Sequence, residues 1–539
     1  MMEFWMPLAT EKSQILCPKS QMLIILLPFS TSSILPFFSD APTNCIKCYF
    51  RGFKIEKMSI IRIFKSYNRT FWAANTIELF ERWAWYGFYM ALALFLVNSK
   101  DTGALGFSQA QKSMIMATGS AILYFLPVLT GAIADKVGYK KILYLSFTIY
   151  ITGFLMMRSF DSFGMAFFSF VWICIGGAFF KPIISAMIAR TTNSETASIG
   201  FGIFYMIVNI GAFIGPFIAG IVLKKGWDYV FFMSMIVLGF NYLITIFFFK
   251  EPITKKNNDP LLKNIGQILV NIWSVLNDWR YLILLLIVSL FWGAYNQLYY
   301  SFPVFVEQWI NTSSIFNSIH SAFPSLAESI GNGKGGISTV TFNSMVAFSI
   351  ICFQLVVSSY VMRFRALHAM MGGYFVLAGG LGMMFSFQSG WFVLIGILIF
   401  ALGEMSSSPK FTEYVGRTAP EDKKALYLGT AYIPIAIGHW IAGFLSGDLF
   451  EGIADKLFLL KKEVVRLGLQ IPEIGDNFSK NQYFEEAAKQ MNLSQSELTN
   501  ALWTNYHPTN IWMIFSGVAL SAGVLLFLYD RFILPQKKS

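Results

Sequence analysis

The chain has 539 residues, of which 55% are hydrophobic and 13% charged, with a net charge of +11 and a mean hydropathy of +0.55. That balance excludes an ordinary soluble domain, in which about 25% of residues are charged. The positive excess points to membrane topology and anionic lipid rather than to nucleic acid, because Lys and Arg gather in particular loops between apolar runs.

Residues 1–57 mix Pro and Ser with one short apolar run, "MLIILLPFSTSSILPFF", whose two prolines break it as a span. They read as an extension ahead of a start at Met58, where "MSIIRIFKSYNRTFW" forms a short basic leader. Twelve stretches then approach or exceed the roughly 20 residues that a bilayer core of about 30 Å requires. They are Phe71–Val97, Ser113–Ala134, Ile142–Met157, Gly164–Ala189, Ile199–Leu223, Tyr229–Phe249, Tyr281–Val304, Thr341–Met362, Met370–Phe387, Trp391–Val415, Tyr427–Gly447 and Ile511–Phe532.

Basic residues in the loop Lys136–Lys141, around Phe364–Leu367, in Lys250–Arg280 and at Arg417, Lys423 and Lys424 place the even-numbered loops and both termini in the cytoplasm. Six spans over 58–250 and six over 281–535 flank a polar linker at 251–280. The expected fold is therefore an all-α polytopic membrane protein of two six-helix bundles, with a substrate cavity between them at mid-membrane. Two outside loops, 308–338 and 448–508, are long enough to form small caps. Cys45 and Cys48 make a lone CxxC with no second pair, so no metal site is expected, and no cofactor motif is present.

Ionisable residues inside spans are costly, about 2.5–3.5 kcal/mol each at a helix centre even on insertion scales. Span 1 carries three in "IELFERWAWYG": Glu78, Glu81 and Arg82, which the i,i+3 and i,i+4 spacings put on one helical face. One Arg cannot neutralise two carboxylates, so either one Glu is protonated or a second cation arrives from another helix. Lys181 of span 4, followed by Pro182, is the candidate donor, and Glu404 stands about half-way along span 10. Such a group is either a static polar clamp between helices or a proton relay, in which burial and a neighbouring cation pull a carboxylate in opposite directions. Asn209, Asn296 and Asn343 add polar groups in spans 5, 7 and 8.

"ELFERWAWYG" (78–87) resembles the ExxER[FW]xxYG signature of the proton-dependent oligopeptide transporters, a branch of the major facilitator superfamily. "GAIADKVGYKK" (131–141), "GGAFFKPIIS" (176–185), "FYMIVNIGAFIGP" (204–216) and "GEMSSSP" (403–409) resemble further motifs of that group, in order and spacing, over roughly 58–535. The resemblance implies that Glu78, Glu81, Arg82 and Lys181 couple protons. It implies that Arg82 and Lys181 face a substrate carboxylate, that Glu404 meets its ammonium, that Asn209 and Asn343 bond its backbone, and that Trp85, Tyr86 and Trp440 line the pocket. Tyr89 and Asn296 stand where the family usually carries an Arg and an acid that meet at the outer gate, so a charge-neutral gate is expected there. Asp135, at the inner end of span 2, is expected to accept from a neighbouring helix N-terminus.

The function so implied is proton-coupled symport of di- and tripeptides, by a monomer in the inner (cell) membrane whose partners are peptide, protons and lipid. Another small zwitterion or anion, or a peptide sensor, shares the same cavity. An enzyme is not expected: His320, His368, His439 and His507 form no HExxH, and no GxSxG is present.

Overall fold

The structure is a computed structural model that describes residues 66–193, 196–251 and 261–534. The extension 1–57, the leader from Met58 to Lys65 and residues 252–260 of the linker lie outside the described residues. Among those described, ten helices are long and apolar enough to cross a membrane. The pair Gln109–Phe125 and Pro127–Val137, bent by 49°, makes an eleventh. Arg69–Val97, whose interior charges lower its hydropathy, makes the twelfth. In chain order they are spans 1 (Arg69–Val97), 2 (the bent pair), 3 (Tyr139–Ser159), 4 (Phe163–Thr191), 5 (Ala197–Leu223) and 6 (Trp227–Phe247). The second half has spans 7 (Trp279–Tyr295, Gln297–Tyr300 and Phe302–Trp309), 8 (Thr339–Asn343 and Met345–Val361), 9 (Ala366–Ser386), 10 (Gly390–Thr418), 11 (Lys424–Thr430 and Ile433–Phe444) and 12 (Ile511–Leu528).

Some span starts carry side-chain caps. Asn68 accepts from Phe71 N at the start of span 1, and Ser108 with Gln111 forms a capping box at span 2. At the base of span 3, Glu251 accepts from the backbone amides of Tyr139 and Lys140 at 2.7 and 2.8 Å. That is the carboxylate at a helix N-terminus expected of Asp135. Asp135 itself accepts from the Tyr139 hydroxyl at 2.6 Å and lies 3.6 Å from Arg190. The difference is one of reach, since Glu251 arrives from the end of span 6 directly beneath the free amides.

Prolines leave backbone acceptors that neighbours must satisfy in a bilayer. Pro182 in span 4 cannot donate to Ala178 O, and Thr130 of span 2 takes that carbonyl at 2.6 Å. Spans 1 and 5 approach closely through small residues. A Cβ at Gly215 would lie 2.4 Å from Trp83 O and 2.8 Å from Gly87 N. Gly215→Ala is therefore expected to cost about 1–3 kcal/mol by overpacking. It should read as a melting temperature in detergent several degrees lower, and unchanged melting would show slack between these helices.

The face bearing the two long insertions, expected from the charge bias to be the outer one, is termed the outer face. Residues 308–338 fold there as two short helices, Ser313–Ala322 and Pro324–Ile330. Beyond span 11 a wide turn at Leu445–Leu449, with Gly447 non-helical, leads into a cap of four helices: Phe450–Ala454, Lys456–Leu467, Lys480–Gln490 and Gln495–Tyr506. Leu459, Leu460, Ala487, Leu498 and Leu502 form its core, each 2% exposed or less. Trp309 Nε1 donates to Ala454 O at 2.8 Å and pins the cap to span 7.

Candidate functional site

Span 1 is buried along nearly its whole length, which is why its charges sit among protein rather than lipid. Glu78, Glu81 and Arg82 are 6%, 0% and 3% exposed. Arg82 Nε lies 3.2 Å from Glu78 Oε1, and Arg82 Nη2 lies 2.5 Å from Glu81 Oε2. Tyr150 of span 3 donates to the other Glu81 oxygen at 2.6 Å, a partner with no sequence signal beyond being one Tyr among many. The helical spacing thus brings the three charges together as expected, and Glu81 is held on both oxygens.

Lys181 does not complete an ion pair. Its ammonium, buried and with no hydrogen-bond partner among the described residues, lies 3.7 Å from the centre of the Tyr124 ring in span 2. The cation–π contact substitutes for part of its hydration, and Glu78, Glu81 and Arg82 remain within electrostatic reach. Across the interface Glu404 of span 10 is 2% exposed. Its Oε1 accepts from Tyr295 at 2.9 Å, while Oε2 has no hydrogen-bond partner among the described residues. Tyr86 lies within electrostatic reach of both Arg82 and Glu404, and Tyr295 continues to Tyr299, hydroxyl to hydroxyl at 3.5 Å. Two buried groups of opposite charge, one in each bundle, thus keep unused hydrogen-bonding capacity on either side of a group of tyrosines.

The remaining expected residues divide. Among the described residues, Asn343, fully buried in the break of span 8, has neither amide atom bonded, and Asn296, in the break of span 7, has an unbonded Nδ2. Asn209 donates to Tyr205 O of its own helix at 2.8 Å. Tyr89 bonds Ser120 Oγ at 3.0 Å and packs against Tyr299 of the other bundle. Two expectations need correction. Trp85 stacks on Tyr89 and Phe170 inside the first bundle, packed there as core because its face of span 1 turns toward span 4. Trp440 is 56% exposed and shares a helical face with Phe444, 77% exposed, so it points outward from the bundle. Its neighbour His439 points inward: 2% exposed, it lies 3.1 Å from the Tyr300 hydroxyl through Nδ1 and stacks on Tyr124. A one-residue step turns a helix by about 100°, and the apolar run around 440 gives no sign of which residue faces in.

The chain resembles "Dipeptide and tripeptide permease A" of Erwinia pyrifoliae, with 28% identity over 218 residues, 38% of this chain and 42% of the permease. The Escherichia coli permease of the same name is 30% identical over 186 residues, 33% of this chain and 35% of the permease. The chain therefore spans less than half the length of the curated relatives it matches. Among solved structures, a peptide transporter POT in complex with sulfate superposes with a TM-score of 0.62 at 15% identity, over 86% of this chain and 94% of that one. A POT family transporter in complex with 5-aminolevulinic acid does so with a TM-score of 0.60 at 17% identity, over 87% and 99%. These show a shared fold. The family model of the Major Facilitator Superfamily matches residues 76–443, from the charged face of span 1 to the inward-facing turn of span 11, and the chain belongs to that superfamily.

Proposed function

We propose that the chain is a proton-coupled symporter that imports di- and tripeptides by alternating access. The observation that carries this reading is that two buried ionisable groups keep unused hydrogen-bonding capacity among the described residues, the Lys181 ammonium in one bundle and Glu404 Oε2 in the other. A buried ion without a partner costs several kcal/mol, and a zwitterion supplies the missing partner to both at once. In this reading Arg82 and Lys181 hold the peptide carboxylate and Glu404 its ammonium. Asn343 and Asn209 bond the peptide backbone, and Tyr86 lines the space between. Glu78, Glu81 and Arg82, with Lys181, carry the proton. The names of the relatives support a peptide as the cargo, and the resemblance in span 1 supports the proton. The protein acts as a monomer in the inner membrane with both termini in the cytoplasm, an orientation supported by the basic loops.

Proteoliposomes with an inward-acid gradient test the reading. Labelled dialanine is expected to accumulate and a protonophore to abolish the accumulation. Binding without accumulation would mark a sensor instead, and competition by other small zwitterions but not by peptides would move the substrate class.

A further inference from the structure

Alternating access requires the bundles to part at the outer face during the cycle. Tyr89 and Asn296, expected at that gate, bring no charge to it. Among the groups that cross between the halves there, which also include Lys224 to Glu328 O and Lys100 to Asp476, two lysines that are at least partly buried end on backbone carbonyls of the opposite half.

Lys112 of span 2 is fully buried. Its Nζ donates to Tyr300 O of span 7 at 2.9 Å and to Ser446 O beyond span 11 at 3.2 Å, with Gln109 Oε1 of its own helix at 2.7 Å. Both acceptors belong to interrupted helix. Tyr300 ends the four-residue piece of span 7, with Pro303 shortly after it, and Ser446 lies in the wide turn beside Gly447. The charge is relayed outward: Gln109 Nε2 donates to Asp455 Oδ2 at 2.7 Å, and Gln109 N donates to Glu451 Oε2 at 3.0 Å. Two cap carboxylates thus compensate a cation that would otherwise sit near the positive end of span 2. Ser113 Oγ lies 2.7 Å from Ser446 Oγ beside this contact.

Lys480 does the converse. It begins a cap helix of the second half and donates to Val97 O, at the end of span 1, and to Phe107 O at 2.9 and 3.0 Å. Val97 O is one of the last carbonyls of its helix, where a cation is favoured. Burial lowers the Lys480 pKa, with Asp455 and Glu451 opposing. Asn481 Nδ2 to Asp101 at 2.9 Å and Lys100 to Asp476 at 3.0 Å flank it at the surface.

We propose that Lys112 and Lys480 are reciprocal latches of the outer gate, each holding the other half of the molecule by its backbone carbonyls, and that the cap after span 11 closes the outer mouth as part of the gate. The inference rests on the alternating-access reading, because only a protein whose halves separate needs a releasable contact there. Opening exchanges carbonyls for water around each ammonium, so the contacts are strong enough to hold and still reversible.

Cysteines at Ser113 and Ser446, with the five native cysteines replaced by alanine, report closure through the rate of disulfide formation in lipid vesicles. Lys112→Met and Lys480→Met are each expected to slow that rate about threefold, and together at least tenfold. Lys112→Arg, which keeps charge and donors, is expected to stay within about twofold. The double methionine variant cross-linking at the unsubstituted rate would overturn the proposal. If Lys112→Met fails to fold by gel filtration, Lys480→Met alone decides: an unchanged rate overturns the reciprocal gate, and a slowed rate supports it. Cross-linking needs neither peptide nor gradient. A chain that moves no peptide still reports its latches, and uptake that persists with unaltered cross-linking leaves the transport reading standing without them.

Discussion

Glu404→Gln is expected to raise the half-saturation concentration for dialanine thirtyfold or more, while leaving N-acetylated dialanine within about twofold. The carboxylate is 2% exposed and tied by one oxygen to Tyr295, so its second oxygen is positioned before any ligand arrives. Removing one partner of a desolvated charge pair costs about 2–5 kcal/mol, which is about thirtyfold to several thousandfold in affinity. Acetylation removes the peptide's cation, so the variant and the blocked peptide probe the same contact from its two sides. Competition against labelled dialanine measures both. Equal losses for free and acetylated peptide would assign Glu404 to holding span 10 against span 7 and away from the ligand.

Glu81→Gln is expected to bring gradient-driven accumulation down to the level seen without a gradient, while counterflow exchange of peptide persists. Glu81 is fully buried between Arg82 and Tyr150; on the proposed function, a proton arriving on it would remove one of the two carboxylates held by Arg82 and free the guanidinium for a substrate carboxylate. Glutamine keeps the Tyr150 contact and nearly the same volume, yet it cannot take up and release a proton. Glu78→Gln is the companion variant, because Glu78 lies 3.2 Å from the same guanidinium. Full accumulation by the Glu81 variant, together with its loss in the Glu78 variant, would move the coupling role to Glu78.

The spans themselves were legible because apolar runs of membrane length have few rival explanations. The face shared by Glu78, Glu81 and Arg82 was legible because i,i+4 geometry is local. The sites of error have a common cause: they depend on what lies opposite in space. Span 2 begins at Gln109 rather than Ser113, because an apolarity rule sets a lysine outside the membrane, whereas Gln109 Oε1 and carbonyls from span 7 and the turn beyond span 11 make Lys112 tolerable inside. Span 7 reads as one helix from Tyr281 to Val304, yet it breaks around Asn296 and Ser301; Pro303 marks the second break, while nothing in the sequence announces the first. Lys181 was expected beside the span 1 carboxylates and instead faces the Tyr124 ring, a contact that no spacing rule announces. For Trp440 and His439 the sequence defines a helix without its rotation.

Lys112 and Lys480 grip peptide oxygens, and every residue type carries the same oxygen. Exchange of the side chain at Tyr300, Ser446, Val97 or Phe107 during divergence leaves the acceptor in place, so no compensating change elsewhere is demanded. Covariation between alignment columns, which exposes side-chain pairs, is blind to a contact of this kind, and its history is written only in the lysines and in the helix interruptions that present the oxygens to them.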